Sequence, residues 1–305
     1  MQPSSFKSNM KITAVVVTYN RLSLLKECIA AVQDQTVKPD RIIVVNNNST
    51  DGTGEWLHTQ NVSVITQENR GGSWGYYSGV KKAAETNADW IWIMDDDTVP
   101  YPDALQKMKE VINSGIDNIG FLSSKAVWTD GSAHKMNLQD IKTFVSGKAF
   151  NEYDNKGMML VNSASFVSLL VSKEAVKKAG LPIKEFFIWA DDAEFTGRIS
   201  RAGFTCGYVP ESIVLHKTAT HYSADFFTDD VKNLCRYRYG MRNSLFMIRM
   251  QKGYFKLFMQ VLKRIFVYPF RILKKRKDHQ WAFIKMVWAA SLEALVFNPK
   301  IEYLP

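Results

Sequence analysis

Cysteine is scarce in this chain, with three in 305 residues, at positions 28, 206 and 235. An odd number so widely spaced excludes a disulfide framework, and Cys28 lies inside an apolar helical pattern, so free, packed thiols in a reducing compartment are expected. No window reaches the ~18 uncharged apolar residues of a membrane span. The nearest, residues 257–272, is interrupted by Lys263 and Arg264. The opening MQPSSFKSNM lacks the apolar centre of a secretory signal. A cytoplasmic location is the expectation, with peripheral attachment to the inner face of the membrane left open. Internal repeats and low-complexity segments are missing too. Charge is not: the net value is +9, and much of the excess lies after residue 230, including Arg271-Ile-Leu-Lys-Lys-Arg-Lys277. Such a run is either a solvated face or a surface for something anionic, a membrane or a nucleic acid.

The most unusual stretch is WIWIMDDDTVP, residues 90–100. Trp90 to Met94 reads as a strand buried on both faces, which belongs to a parallel sheet covered by helices. Asp95, Asp96 and Asp97 then sit at its C-terminal end, where open α/β sheets place ligands. Two like charges ~4 Å apart repel by roughly 4 kcal/mol at an effective dielectric of 20. Three need solvent, protons or a cation. An acidic turn closed by Pro100 and Pro102 and free in water is the plain account.

Up to about residue 125 the pattern alternates: strands at 12–17, 41–45, 62–65, 90–94 and 119–122, helices at 22–33, 53–58, 73–85 and 103–112. That order predicts an α/β fold, a doubly wound and mostly parallel sheet flanked by helices. The loops TYNR, NNNSTDGT, QENRGG and DDD all follow strands, so they converge on one sheet edge. Residues 126–160 read as a variable loop region. Residues 158–171 return to the sheet, 191–202 form a helix, and 204–216 are strand broken at Pro210. From 229 the pattern is helical, aromatic and basic to the end.

Several of these loops carry side chains suited to a ligand. Thr18, Tyr19, Asn20 and Arg21 offer a stacking face and hydrogen-bonding groups, although Asn20 also suits an ordinary turn. In Asn46-Asn-Asn-Ser-Thr-Asp51, Asp51 or Thr50 can cap the following helix, yet three asparagines exceed what a cap requires. Asn69-Arg-Gly-Gly-Ser-Trp-Gly75 combines close backbone approach at Gly71 and Gly72, free helix N–H groups and the charge of Arg70. In Trp189-Ala-Asp-Asp-Ala-Glu194, Asp191 and Glu194 have capping-box spacing and Glu194 can pair with Arg198. Asp192 is left over in the first helical turn, as a general base requires. His216 ends a strand and is a metal ligand only if it meets the DDD loop.

Taken together, TYNR, NNNSTDGT, NRGG, DDD and DDAEFTGR resemble, in this order, family 2 glycosyltransferases of the GT-A fold, over roughly residues 11–220. The chain is more closely similar to bacterial galactofuranosyltransferases, in which NxGGSxG precedes DDD and W-D-D-A-E supplies the base. Here Ala190 separates Trp189 from the aspartates, and Trp74 replaces a small residue. Tyr239-Gly-Met-Arg-Asn243 resembles a motif shared with rhamnosyltransferases. The resemblance implies a catalytic domain over 1–228, with a nucleotide-binding half at about 11–125 and an acceptor half at about 126–228. Residues 229–305 are then a helical membrane-surface or oligomerisation region.

The implied roles follow residue by residue. Thr18, Tyr19, Asn20, Arg21, Asn47, Asn69, Arg70, Gly71 and Gly72 would bind the nucleotide sugar, with Arg70 near the diphosphate. Asp95 and Asp97 would hold a divalent cation, Mn²⁺ or Mg²⁺, with His216 as third ligand, and Asp95 and Asp96 would face the donor. Asp192 would be the catalytic base of an inverting hexosyl transfer, while Trp189, Asp191 and Glu194 support it or orient the acceptor. The expected donor is a UDP-sugar, galactofuranose first, and the acceptor a glycan or lipid-linked glycan of cell-surface polysaccharide synthesis. A rhamnosyltransferase using a dTDP-sugar is the alternative, and a non-catalytic nucleotide-sugar-binding scaffold the reading from another class. The tail is either a bundle packed on the domain or on a second subunit, or an interfacial segment on anionic lipid; nucleic acid fits its clustered aliphatics poorly.

Overall fold

The computed structural model describes residues 10–139, 141–221 and 223–305. The first nine residues, on which the reading of the N-terminus rests, lie outside the described residues.

The elements of the first half are β1 (Ile12–Thr18), α1 (Leu22–Gln33), β2 (Arg41–Asn46), α2 (Thr53–Leu57), β3 (Ser63–Thr66), α3 (Gly72–Ala84), β4 (Trp90–Asp95), β5 (Thr98–Pro100), α4 (Ala104–Ile112) and β6 (Ile119–Val127). The variable region holds only the short hairpin β7 (Phe144–Val145) and β8 (Lys148–Ala149) and isolated helical turns. After it come β9 (Met159–Leu160), β10 (Leu169–Ser172), α5 (Lys173–Ala179), α6 (Asp191–Arg201) and β11 (Thr205–His216). The main sheet runs β3-β2-β1-β4-β10-β6-β11-β5, with β9 beside β11. From β3 to β4 every pair is parallel; β10 runs antiparallel between β4 and β6, and β6 pairs parallel with β11.

Alternate residues of each strand supply the two layers of core. Val15, Val17, Ile43, Val45, Ile91 and Ile93 meet α3, α5 and α6 on one face. Ala14, Val16, Ile42, Val44, Trp92 and Met94 meet α1 and α4 on the other. Each such side chain contributes about 1.5–3 kcal/mol when fully buried, which is why runs without polar alternation suit a covered parallel sheet.

Register places the site. Because β1, β2 and β4 are parallel and paired Thr18 to Asn46 and Val17 to Asp95, their C-terminal loops emerge side by side. Beyond the DDD turn, β5 pairs antiparallel with the end of β11, putting Thr98 opposite His216. The break expected at Pro210 is instead a bulge. The strand continues, but its register against β6 jumps between Val209 and Ile213, letting the residue without an N–H leave the ladder.

The C-terminal region is α7 (Leu234–Leu262), a π-helical turn at Lys263–Val267, α8 (Tyr268–Lys275) and α9 (Gln280–Val296). Helix α7 kinks at Gly253, whose φ of 78° only glycine adopts easily. Ile272, Phe283, Ile284 and Val287 form a separate core that takes in Trp189. The chain end returns to α3, where Glu302 accepts from Tyr77 Oη (2.5 Å) and pairs with Lys81 (2.6 Å). Phe246, Phe297 and Ile301 also pack on Ile183 and Phe186, so the C-terminal region is fastened to the preceding part of the chain along its length. All three thiols are free; Cys28 and Cys206 are buried as expected of packed cysteines, and Cys235 is exposed.

Candidate active site

The three carboxylates that open the question are not free in water. Asp96 and Asp97 are buried, and each has been given a partner by a distant element. Thr18 Oγ1 donates to Asp96 Oδ2 at 2.8 Å, and Arg21 reaches Asp97 Oδ2 at 2.6 Å and Asp96 Oδ1 at 3.3 Å. Tyr76 Oη, from the second turn of α3, donates to Asp95 Oδ1. Burial pushes Asp96 up to about 7 even against Arg21. Burial and the Asp97 charge also raise Asp95, whereas His216 and Arg21 outweigh burial at Asp97 and hold it below the usual carboxylate range.

Asp95, Asp97 and His216 bring one ligand atom each within 4.8 Å of one another. His216 Nδ1 lies 2.8 Å from Asn137 Oδ1, which can only accept, so Nδ1 carries a proton and, in the neutral imidazole, Nε2 is the free electron-pair donor. Nε2 lies 3.3 Å from the buried Asp97 Oδ1, an ion pair when the ring carries both protons and two facing electron-pair donors when it is neutral. Two electron-pair donors so opposed suit a cation between them, and a carboxylate–carboxylate–imidazole set suits a divalent one. His134, also buried, packs its ring 4.3 Å from that of His216.

A second group of carboxylates approaches from α6. Asp191 is not a helix cap, contrary to the expected capping box: Ala190 occupies the N-cap with φ 66°, and the buried Asp191 carboxylate accepts from Ser73 Oγ at 2.8 Å. The stronger competitor for that carboxylate was the N-terminus of α3, 118 residues away in sequence. Burial raises Asp191 to about 6, and burial plus the Asp191 charge raises Asp192 to about 7; both feel Asp95. Asp192 is half-buried, with Oδ1 accepting the Ala193 N–H at 2.7 Å. Glu194 is taken up by Arg198 (2.9 Å), as its spacing indicated, and Arg198 in turn binds the Ala179 and Leu181 carbonyls, which fixes α6 on the loop after α5.

The loop leading into α6 is strained. Phe187, Trp189 and Ala190 all have positive φ without being glycine. Asn243 Nδ2 on α7 donates to the carbonyls of Phe186 (3.0 Å), Ile188 (3.2 Å) and Trp189 (2.9 Å), and Arg242 donates to those of Glu185 and Phe186. Trp189 packs edge-on against Tyr237 and lies against Gly240. Gly71, at φ 92°, lies so close to the Phe187 carbonyl that a Cβ would collide with it, and Ser73 N–H donates to the same carbonyl at 3.1 Å. The NRGG loop, the α6 N-terminus and α7 thus meet at one point.

On the other side, Asn47 is buried, accepts from Gln67 Nε2 at 2.9 Å and abuts Gly75. Asn20 accepts Thr50 N–H, and Asp51 accepts from Leu22 N–H and Thr53, so part of the asparagine-rich loop serves helix ends. Tyr19 is about half exposed. Asn69 Oδ1 closes a turn onto Gly71 N–H. Arg70 is paired with Glu68 at 2.8 Å and stacked 4.9 Å from the Trp74 ring, while among the described residues it is Arg21 whose guanidinium pairs with the acidic cluster. Sequence reasoning missed Tyr76, Ser73, Asn137 and His134. Tyr76 and Ser73 share the helix that follows the glycine pair and could have been sought there; Asn137 and His134 lie in an aperiodic stretch that carried no signal.

The carboxylate–imidazole group and the Asp191–Asp192 pair both lie at the C-terminal edge of the parallel strands, where open α/β sheets bind ligands. Residues 13–169 match the family model for glycosyl transferase family 2, and the chain belongs to that family. It is 27% identical over 229 residues to galactofuranosyltransferase GlfT1 of Mycolicibacterium smegmatis, covering 68% of this chain and 72% of that protein. It is 25% identical over 215 residues to O-antigen chain rhamnosyltransferase RfbN of Salmonella typhimurium, covering 68% and 66%. Among solved structures, the mannosyltransferase PcManGT from Pyrobaculum calidifontis, in complex with GDP-Man and Mn²⁺, superposes with a TM-score of 0.55 at 15% identity, covering 95% of this chain and 88% of that one. The resemblance read from TYNR, NRGG, DDD and DDAEFTGR is borne out at the level of family and fold.

Proposed function

We propose that this protein transfers galactofuranose from UDP-galactofuranose, with inversion, to a hydroxyl of a glycan or lipid-linked glycan in cell-surface polysaccharide synthesis. The observation that carries the reading is that α3 joins two carboxylate groups: Tyr76 binds Asp95 of the Asp95, Asp97 and His216 set, and Ser73 one turn earlier binds Asp191, beside Asp192. Thr18, Tyr19, Asn20 and Asn47 line the nucleoside side; Asn69, Arg70, Gly71 and Gly72 border the diphosphate, and Asp96 faces the donor. Asp95, Asp97 and His216 would hold Mn²⁺ or Mg²⁺, which when bound supplies positive charge to a diphosphate leaving group. Asp192 accepts the proton of the acceptor hydroxyl, whose oxygen attacks the anomeric carbon from the face opposite the diphosphate. The carbon–oxygen bond to the diphosphate breaks in the same displacement, and no covalent sugar–enzyme bond forms. Trp189, Asp191 and Glu194 keep the base loop in place.

Transfer assayed over a panel of nucleotide sugars with Mn²⁺ and a lipid-linked acceptor mixture tests this, wild type beside Asp192→Asn. Turnover of UDP-galactofuranose alone, lost in the variant, is the expected result. The similarity to RfbN favours one competing donor: turnover of a dTDP-sugar instead would keep the mechanism and make the enzyme a rhamnosyltransferase. Metal-dependent donor binding with no turnover of any donor would sink the catalytic reading.

A further inference from the structure

From Val231 to Lys277 the chain carries fourteen Lys and Arg and no Asp or Glu. Within that stretch Phe255, Met259, Leu262, Phe266, Phe270 and Leu273 recur at steps of three and four, the spacing of one helix face. The alternate face is occupied: Leu257, Val261 and Ile272 are buried against the rest of the bundle. Apart from the partly buried Leu262 the stripe is uncovered, with Phe255, Phe266 and Phe270 exposed by 78, 63 and 74%. Lys252, Lys256, Lys263, Lys274, Lys275 and Lys277 are exposed beside it. An apolar face of this size is not left in water without a use.

We propose that this face binds a bilayer surface containing anionic phospholipid headgroups, lying in the plane of the interface. Charge decides the occupant. A second copy docked by the same face would set two acid-free, lysine-rich surfaces against each other, which like-charge repulsion opposes. Anionic headgroups supply the missing negative charge, while the aromatic rings enter the acyl boundary. No described helix is long and apolar enough to cross a membrane, so the contact is with one leaflet. The same helix, α7, carries Asn243, about 15 Å of helix before the Gly253 kink, and so ties the base loop to the surface-bound segment. The inference stands apart from donor identity, because vesicle binding and sugar transfer are separate readouts.

The test is flotation of the full chain with vesicles of phosphatidylglycerol and phosphatidylethanolamine, and with vesicles of phosphatidylcholine alone. The expected result is binding to the first set that is at least about tenfold tighter than to the second and that weakens with salt. Two variants follow: Phe255→Ser with Phe266→Ser and Phe270→Ser, and Lys252→Gln with Lys256→Gln, Lys274→Gln and Lys275→Gln. The lysine set alters only exposed side chains, so it reports even if the phenylalanine set fails to fold. Each should reduce binding to anionic vesicles about tenfold or more. Equal binding to both vesicle types, flotation with neither, or full retention by the folded variants would overturn the proposal. So would a concentration-dependent dimer dispersed by the same substitutions.

Discussion

His216 Nε2 stands 3.3 Å from Asp97 Oδ1 while Asn137 holds the proton-bearing Nδ1 at 2.8 Å. With the imidazole neutral, the buried Asp97 oxygen faces a lone pair, an arrangement that a shared cation relieves. Adding Mn²⁺ or Mg²⁺ to metal-free protein should raise Tm, since a ligand at about a hundred times its Kd stabilises by about 2.7 kcal/mol. Chelation should reverse the shift. His216→Ala and Asp97→Asn should lose most of it, which thermal unfolding with and without metal would read directly.

Asp192 should trade stability for activity. Its pKa is raised from 3.8 to about 7 by burial and by Asp191, so across that window the folded chain holds a proton that the unfolded chain has released. Stability from this group is thus present at low pH and lost as pH rises through about 7. Asp192→Asn should unfold at a higher temperature than wild type at pH 8, by an amount on the order of 1–2 kcal/mol for a partly buried group, with the gain gone near pH 4. Activity runs the other way. A base works when ionised, so wild-type kcat/KM should fall as pH drops below about 7, and the variant should lose roughly 10²–10⁴-fold at pH 8, a deficit that narrows at lower pH.

Asn243 is a positioning residue for the base. It holds three carbonyls of a loop in which Phe187, Trp189 and Ala190 have positive φ, each worth on the order of 1–3 kcal/mol of strain. Asn243→Ala should lower kcat by about tenfold or more while leaving donor affinity nearly unchanged, as titration calorimetry beside steady-state kinetics would show. Asn243→Asp keeps the shape but not the N–H donors, and should fare no better.

Gly71 and Gly253 make a paired test of close approach. Both have positive φ, 92° and 78°, but only Gly71 has backbone where a Cβ would go. Gly253→Ala should cost about 1 kcal/mol from backbone strain alone. Gly71→Ala should cost more and should also depress transfer, because it pushes the NRGG loop off the Phe187 carbonyl.

Much of this was legible in advance. Helix α1 spans the predicted 22–33, α6 begins at the predicted Asp191, and the four polar loops do share one edge, because period, propensity and strand order are local properties of the chain. The Asp191 cap was misread because D-x-x-E is a local pattern and its hydroxyl partner is not. Neutralisation of the DDD loop by Thr18, Arg21 and Tyr76 follows from strand neighbours and a helix lying across them, which composition does not encode.

The sequence by itself determined which segments are strands and helices, which of their ends carry chemistry, and that the C-terminal helices are cationic and apolar at once. Those properties need only the residues within a turn or a pleat. The resemblance implied that His216 meets Asp97, which sheet register brings about, whereas the tertiary structure alone decided that Ser73 captures Asp191 and that Asn243 holds the strained loop before the base. Each of those contacts joins residues more than fifty positions apart, and such pairs are fixed by sheet register and helix packing rather than by any local preference.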